Sequence, residues 1–402
     1  LSWLDLLVKS TEENEAPERY FWWSGLATIA AIARKNIWLD KHYYKLYPNI
    51  YVALVSSRSG ARKGVPISIC KSILEDIGLC RVISGCNSIQ GLTQELSQMR
   101  TYEGRPPIKE AQGIMVSDEF ESFLTEDPKA LTYLTALYNT HEHEKGWTKR
   151  LKSSPIEELK SPCLTLLVAS NETLFDAMVK QKDVEGGFIA RTFIVYEKGP
   201  RLINPLIYAP KNKLNTHELT LRLLKISTIT GEFKWTKEAA DLYEPWYNKI
   251  STANIDDRTG TLSRLGDSVL KAAMLISLAR KDDLNLEAED VSLAIRKCEE
   301  CMSAINIMML TSSNGDVSGP IKAVLKALAN APDQTISRAK LLSKLHPDGI
   351  DSIILDRAIE SLQQSRGITQ PYRKGKDIMY KMSKEAYAEF YDAFVKFAGG
   401  SN

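Results

Sequence analysis

The chain has 402 residues, 44% hydrophobic and 25% charged, with 52 lysines and arginines against 50 aspartates and glutamates. That length exceeds one ordinary core and predicts two or three packed units, while the composition excludes a disordered or fibrous chain. A net charge of +2 leaves no global basic surface, so any such surface must be local.

Six cysteines at uneven spacing make no disulfide framework and suit a reducing compartment. The start, Leu1-Ser-Trp-Leu with acidic residues soon after, lacks the basic and apolar regions of a secretory signal. The most apolar run, Tyr20 to Ala33, falls short of the ~20 residues that span a bilayer and predicts a buried helix. The expectation is a cytoplasmic protein with no membrane partner.

Residues 1–46 are rich in helix formers and aromatics. Trp22, Trp23, Leu26, Ile29 and Ile32 recur at the spacing of a packed amphipathic helix, which predicts a helical N-terminal segment. Pro48 breaks the pattern, and Ile50–Val55 reads as a buried strand, without charge. A loop with Ser59, Gly60, Arg62, Lys63 and Gly64 follows, then a helical stretch from Pro66 to about Leu79. Further buried strands are predicted at Gly113–Val116, Cys163–Ala169 and Phe188–Tyr196. Apolar strands alternating with helices predict an α/β core over 47–210 with a mainly parallel sheet covered on both faces. Residues 211–311 read as helical, including 267–280 and 287–309. A Ser/Asn/Gly linker at 312–319 leads to three short helices and a hairpin at 367–382, the plan of a winged helix over 318–402.

A phosphate cradle needs glycine where backbone approaches the ligand, amides at a helix N-terminus and a lysine for the β- and γ-phosphates. The segment Ser57-Arg-Ser-Gly-Ala-Arg-Lys-Gly64 sits between a buried strand and a helix, the context of such a P-loop. Its match to GxxxxGK[ST] is incomplete: Ser57 and Arg62 replace the glycines, and Gly64 replaces the hydroxyl. The bland alternative is a solvated basic turn. About 55 residues on, GIMVSDEF ends an apolar strand in adjacent carboxylates. Asp118 would hold a metal and Glu119 would act as general base or polarise water; a strand followed by an acidic helix N-terminus is the alternative. The strand Cys163–Ala169 delivers Ser170 and Asn171, which could sense a γ-phosphate or simply cap a helix near Glu172. Glu185-Gly-Gly-Phe-Ile-Ala-Arg191 could present Arg191 at a surface as an arginine finger; an internal salt bridge is the alternative.

These elements, carried by PNIYVALVSSRSGARKG, GIMVSDEF, LTLLVASNETLF and GGFIARTFIVYEK, resemble in order the ATPase cores of AAA+ replication proteins. More closely, the chain looks like the helicase-like family of phages, plasmids and integrated elements that is associated with primases. The resemblance spans roughly residues 15–310 and implies ATP and Mg²⁺ as cofactors. It assigns the cradle to Ser59, Gly60, Ala61, Arg62, Lys63, Gly64 and Val65, with Lys63 on phosphate. Asp118 and Glu119 become the metal and water acids, Asn171 (or Ser170) the sensor and Arg191 the finger. Arg264, ahead of VLKAAMLISLA, resembles the lid arginine of minichromosome-maintenance helicases, with Arg258 as a competing choice. The fold this implies is an AAA+-like P-loop core, a helical lid over 211–311 and a C-terminal winged helix. Relatives often read RKGT near the lysine; here Val65 follows Gly64, and Ser68 lies one turn on.

Between acids and sensor, Gly146–Ser161 would project a hairpin into the pore of a ring, with Lys149, Arg150 and Lys152 on the phosphates of single-stranded DNA. An ordinary solvated loop is the alternative. Residues 318–402 hold 13 basic and 9 acidic residues, with Arg373, Lys374, Lys376 and Lys381 on the wing. Asp351, Asp356 and Glu360 argue against a base-reading third helix and favour backbone contact or protein docking. Cys298-Glu-Glu-Cys301 and His141-Glu-His143 lack further ligands for zinc.

The expected function is an ATP-dependent DNA helicase or translocase of a mobile-element replication system, a homo-oligomeric ring, with a hexamer expected and a primase as candidate partner. The alternatives are a weakly hydrolysing or non-hydrolysing ATP-binding scaffold or loader, and a regulator binding DNA through the winged helix. A chain opening on leucine is expected to be part of a longer protein, with a primase domain as one candidate for what lies upstream.

Overall fold

Five apolar runs become one parallel sheet: β1 (Tyr51–Ser56), β2 (Arg81–Ser84), β3 (Gln112–Ser117), β4 (Cys163–Asn171) and β5 (Thr192–Glu197). Their spatial order is β2-β3-β4-β1-β5, parallel throughout. The computed structural model describes residues 2–56, 59–86, 88–101, 104, 108–127, 129–140, 147–149, 157–171, 186–197, 199–204, 216–252, 260–311, 318–364, 367–375 and 377–384. All of β1 and residues 163–170 of β4 are buried, as expected of central strands covered on both faces.

Alternation along β1 divides its side chains between two layers. Val52 and Leu54 join the cluster built on the helix Glu18–Ala33. Tyr51 turns the other way. Its ring meets Tyr138 edge-on at 5.0 Å, and its hydroxyl donates to the Leu134 carbonyl at 2.8 Å. The helix Glu18–Ala33 is buried from Tyr20 through Ala33 on every face, so it is not the amphipathic helix expected from its spacing. Trp23 stacks on Phe193 of β5 at 4.5 Å, and burying an aromatic of this size contributes ~1.5–3 kcal/mol. Gly25 admits the helix Trp3–Ser10, since a β-carbon there would lie 2.8 Å from Leu7 Cδ2.

Besides the unexpected strand Arg81–Ser84, three segments differ from expectation. Residues 37–46 form a hairpin, in which Ile37–Asp40 pairs antiparallel with Lys45–Leu46 and parallel with Gly231–Trp235. Ile37 and Leu39 are buried while Trp38 is half-buried, a period of two that the aromatic richness of 1–46 conceals. Residues 216–310 accordingly hold the strands Gly231–Trp235 and Asn285–Leu286 among the helices Thr216–Thr228, Lys237–Ser251, Thr261–Arg280 and Ala288–Thr311. Finally, Phe188 is not in a strand. Gly186–Ile189 is one helical turn, closed where the Arg191 amide and the Thr192 hydroxyl both donate to the Phe188 carbonyl, and β5 begins only at Thr192.

The chain divides into two units, Leu1–Met302 and Ser303–Asn402. In the second, helices Ser318–Ala329, Arg338–Leu345 and Ser352–Gln364 pack on a three-stranded antiparallel sheet. Its strands are Thr335–Ser337, Tyr372–Lys374 and Asp377–Lys381. Val324, Leu328, Leu341, Leu355 and Ile359 form its core. Gly375, at φ 66°, makes the hairpin turn, a left-handed conformation that suits glycine. No helix among the described residues is long and apolar enough to cross a membrane.

Candidate functional site

The connection after β1 runs to one edge of the sheet, and the connection after β4 passes over β1 to the other. In open α/β sheets such a reversal leaves a crevice at the carboxyl ends of the strands. The lysine loop, the acid pair and the polar pair all emerge at that end.

After β1, Ser59–Ala61 makes a single 3-10 turn and the helix Gly64–Ile77 begins immediately past Lys63. Arg62 stands where the phosphate-loop pattern has glycine, and its φ is +53°. That conformation costs a non-glycine residue about 1 kcal/mol. The Arg62 guanidinium is anchored to Glu15 at 2.8 Å, and Glu15 also accepts the Asn204 amide at 3.1 Å. The Asn204 N–H and then Arg62 hold the Glu15 carboxyl below its ordinary range.

β3 ends at Ser117, paired in register with Val168, and Asp118 and Glu119 follow it into solvent. The Glu119 amide donates to Ser117 Oγ at 3.3 Å. Behind the acids the buried Phe120 stacks on Phe123 at 5.7 Å and fixes the start of the next helix. From β4, Ser170 is buried with Oγ donating to the Asn171 carbonyl, while Asn171 is exposed with Nδ2 donating to Glu121 at 3.0 Å.

Lys63, Asp118, Glu119, Ser170 and Asn171 thus line one cleft of about 460 Å³. A neighbouring cleft of about 470 Å³ shares both acids and adds Ser68, Lys71 and Cys86. With Lys63 against Asp118, Glu119 and Glu121, the first cleft carries more negative charge than positive. Among the described residues no group of three or more His, Cys, Asp and Glu is placed to hold a metal ion alone.

The two arginines lie elsewhere. Arg191 and Arg264 line a second cleft, about 370 Å³, with Tyr44, Tyr138, Asn139 and Lys271. Arg191 is 7% exposed, not displayed on an open surface. Its Nη1 donates to the Gly187 carbonyl at 2.8 Å and its Nε to Asn139 Oδ1 at 3.3 Å, so Gly187 and Asn139 hold the arginine inward. Arg264 is exposed on the helix Thr261–Arg280.

No protein-family model matches this chain, and no curated protein matches its sequence.

Among the residues expected on DNA, Lys149 ends the strand Trp147–Lys149, which pairs antiparallel with Glu157–Leu159. Arg373 and Lys374 are exposed on the strand Tyr372–Lys374. Arg150, Lys152, Lys376 and Arg258 lie outside the described residues, as do residues 172–185, His141 and His143. Cys298 and Cys301 are buried in the helix Ala288–Thr311, with burial pushing both thiols up. Sequence reasoning missed Glu121 and Lys271. The first had a signal, a third carboxylate two residues past the acid pair. The second had none, because a lysine inside an apolar helix gives no indication of what it faces.

Proposed function

We propose that the first cleft binds ATP with Mg²⁺ and that the chain is a nucleotide-driven DNA helicase or translocase of AAA+ type. One observation carries this reading: Lys63, Asp118, Glu119, Ser170 and Asn171 meet in one cleft at the ends of three parallel strands. Lys63 and the amides opening the helix Gly64–Ile77 suit a triphosphate. The exposed carboxylates suit a hard divalent cation that completes its shell with phosphate oxygens and water. When bound, the nucleotide and its metal supply the scissile phosphoanhydride and neutralise its charge. Asp118 would orient the metal. Glu119 would take a proton from the water whose oxygen bonds to the γ-phosphorus as the bond to the β-phosphate oxygen breaks. Asn171, tied to Glu121, would hold that water or the γ-phosphate in line.

The second cleft supports a ring, a hexamer in this reading, in which Arg191 and Arg264 face the nucleotide of an adjoining copy. The antiparallel pairing around Lys149 supports a hairpin whose basic residues Lys149, Arg150 and Lys152 track the phosphates of a single strand. Three helices and a three-stranded sheet suit a winged helix, with Arg373, Lys374 and Lys376 on its wing. Asp356 in its third helix is held bidentate by Arg338, at 2.8 and 2.9 Å, which favours backbone contact over base reading. A primase remains a proposed partner.

A second reading is an ATP-binding scaffold with little turnover. Gly64 offers no hydroxyl, and Arg191 is committed to its own chain. Measuring ATP turnover by the full chain with and without single-stranded DNA separates the two. The helicase reading expects DNA-stimulated turnover that Lys63→Ala abolishes; nucleotide binding without turnover supports the scaffold, and neither binding nor turnover overturns both.

A further inference from the structure

Arg62 stands one residue before Lys63 with its backbone in the left-handed region, at φ 53°. Its carbonyl accepts the Val65 N–H at 3.1 Å, which closes the turn into the helix Gly64–Ile77, and Lys63 already has helical geometry. The φ of Arg62 therefore fixes the direction in which the chain arrives at Lys63. Glycine takes this conformation freely, whereas a residue with a β-carbon resists it. A contact from outside the loop can offset that resistance.

Glu15 supplies one, from the segment that follows the helix Trp3–Ser10. Its Oε2 accepts from Arg62 Nε at 2.8 Å and its Oε1 accepts the Asn204 N–H at 3.1 Å. Exposed ion pairs ordinarily contribute little, because two long side chains must be ordered to make one. Here the carboxylate is already in place. The Glu15 side chain is 17% exposed against 59% for Arg62. The Arg201 N–H donates to the Glu15 carbonyl at 2.9 Å, Arg201 Nε donates to the Asn14 carbonyl at 3.0 Å, and the same guanidinium binds the Thr11 carbonyl. On the other side the Ala16 N–H donates to Asn14 Oδ1 at 2.9 Å, and Ala16 is fully buried. Residues 199–204, which follow β5, thus set Glu15, and Glu15 sets Arg62.

We propose that Glu15 is a positioning residue for the phosphate loop: through Arg62 it holds the left-handed turn that sets Lys63 in the first cleft, the part that glycine takes in the usual pattern. Calling this a phosphate loop rests on the nucleotide reading above; the tie from Glu15 to the turn does not. Arg62 acts as a strut. Its guanidinium is engaged by Glu15, and it does not line the first cleft.

Two measurements on the full chain test this together: ATP binding with Mg²⁺, and hydrogen exchange of the Val65 amide that closes the turn. In Glu15→Ala the affinity for ATP is expected to fall about fivefold, and Val65 exchange to quicken by a similar factor. Arg62→Met, which breaks the tie with Glu15 left in place, should do the same. Arg62→Gly should bind within about twofold of the wild type, because glycine holds the turn without help. Adding Glu15→Ala to Arg62→Gly should then change nothing further. A merely structural Glu15 would weaken both backgrounds alike, and that result overturns the proposal. So does a loss in Arg62→Gly as large as in Arg62→Met, which would make Arg62 a phosphate ligand. Should Glu15→Ala fail to fold, the methionine and glycine variants of Arg62 decide. A wild-type chain that binds no ATP but shows the exchange pattern refutes the nucleotide reading and leaves the tie standing. ATP bound equally by the wild type and Glu15→Ala, with exchange unchanged, overturns the tie and leaves that reading.

Discussion

Gly64 and Asp118 stand side by side: a β-carbon built on Gly64 would lie 4.0 Å from the β-carbon of Asp118. The loop that follows β1 and the acid that ends β3 therefore meet over the intervening end of β4. The position after Lys63 is where a phosphate loop has its metal-binding hydroxyl. Here that position has room for a side chain, and the side chain would point toward the acid.

Gly64→Ser should accordingly be tolerated and should strengthen Mg²⁺-dependent nucleotide binding. The new β-carbon meets only ordinary van der Waals contact, so stability should change by no more than about 0.5 kcal/mol. A hydroxyl beside Asp118 should raise affinity by up to about tenfold, or ~1.4 kcal/mol. Titration of both proteins with ATP, with and without Mg²⁺, reads this directly. No gain, or a gain equal without the metal, contradicts it.

Gly113→Ala should damage the sheet itself. Gly113 pairs with Arg81, and an added β-carbon would fall inside contact distance of the Arg81 carbonyl oxygen and 2.8 Å from its Cβ. Arg81 cannot give way easily. It is fully buried, and its guanidinium binds the carbonyls of Glu95, Leu96 and Gln98 at the end of the helix Ile89–Ser97. A loss of about 1–3 kcal/mol is expected in urea unfolding.

Stability should rise with pH between about 7 and 8.5. The folded-state value of Lys271 is depressed to about 7. Above that pH the unfolded chain carries one more proton than the folded one at this residue, and each pH unit then adds up to ~1.4 kcal/mol to folding. Beyond about 8.5 the sign reverses, because Cys70, Cys80 and Cys301, pushed up to about 12 by burial, keep protons that the unfolded chain loses. Lys271→Met should flatten the rise and leave the later decline. A decline beginning at pH 7 in the wild-type chain counts against it.

Removing charge from the wing should change how DNA binding responds to salt. Arg373 and Lys374 are both exposed. Replacing both by alanine should weaken binding similarly on different sequences. It should also reduce the slope of log affinity against log salt by about 0.7 per lost phosphate contact on single strands. A change in sequence preference with an unaltered slope would point to base contact instead.

Much of the core could be read from the chain because uncharged runs such as Ile50–Val55 and Cys163–Ala169 can only be buried strands or helices. Their length and the punctuation around them decide between the two. The convergence of Lys63 with Asp118 and Glu119 followed from strand ends supplying one crevice. What could not be read depended on distant partners. Arg81–Ser84 is four residues long, and an arginine at its head disguises a buried edge strand. Ile37–Asp40 finds its longer pairing with Gly231–Trp235, almost two hundred residues later, beyond its short hairpin with Lys45–Leu46. The inward turn of Arg191 depends on Asn139, which nothing near Gly186 and Gly187 announces.

Equilibrium binding of ATP to the full chain, compared with Lys63→Ala and Asp118→Asn, bears on all of this at once. Binding that Lys63→Ala weakens by about tenfold or more, and whose Mg²⁺ dependence Asp118→Asn removes, is the predicted result. Undiminished binding in both variants would mean that Lys63 and Asp118 share a cleft without sharing a ligand.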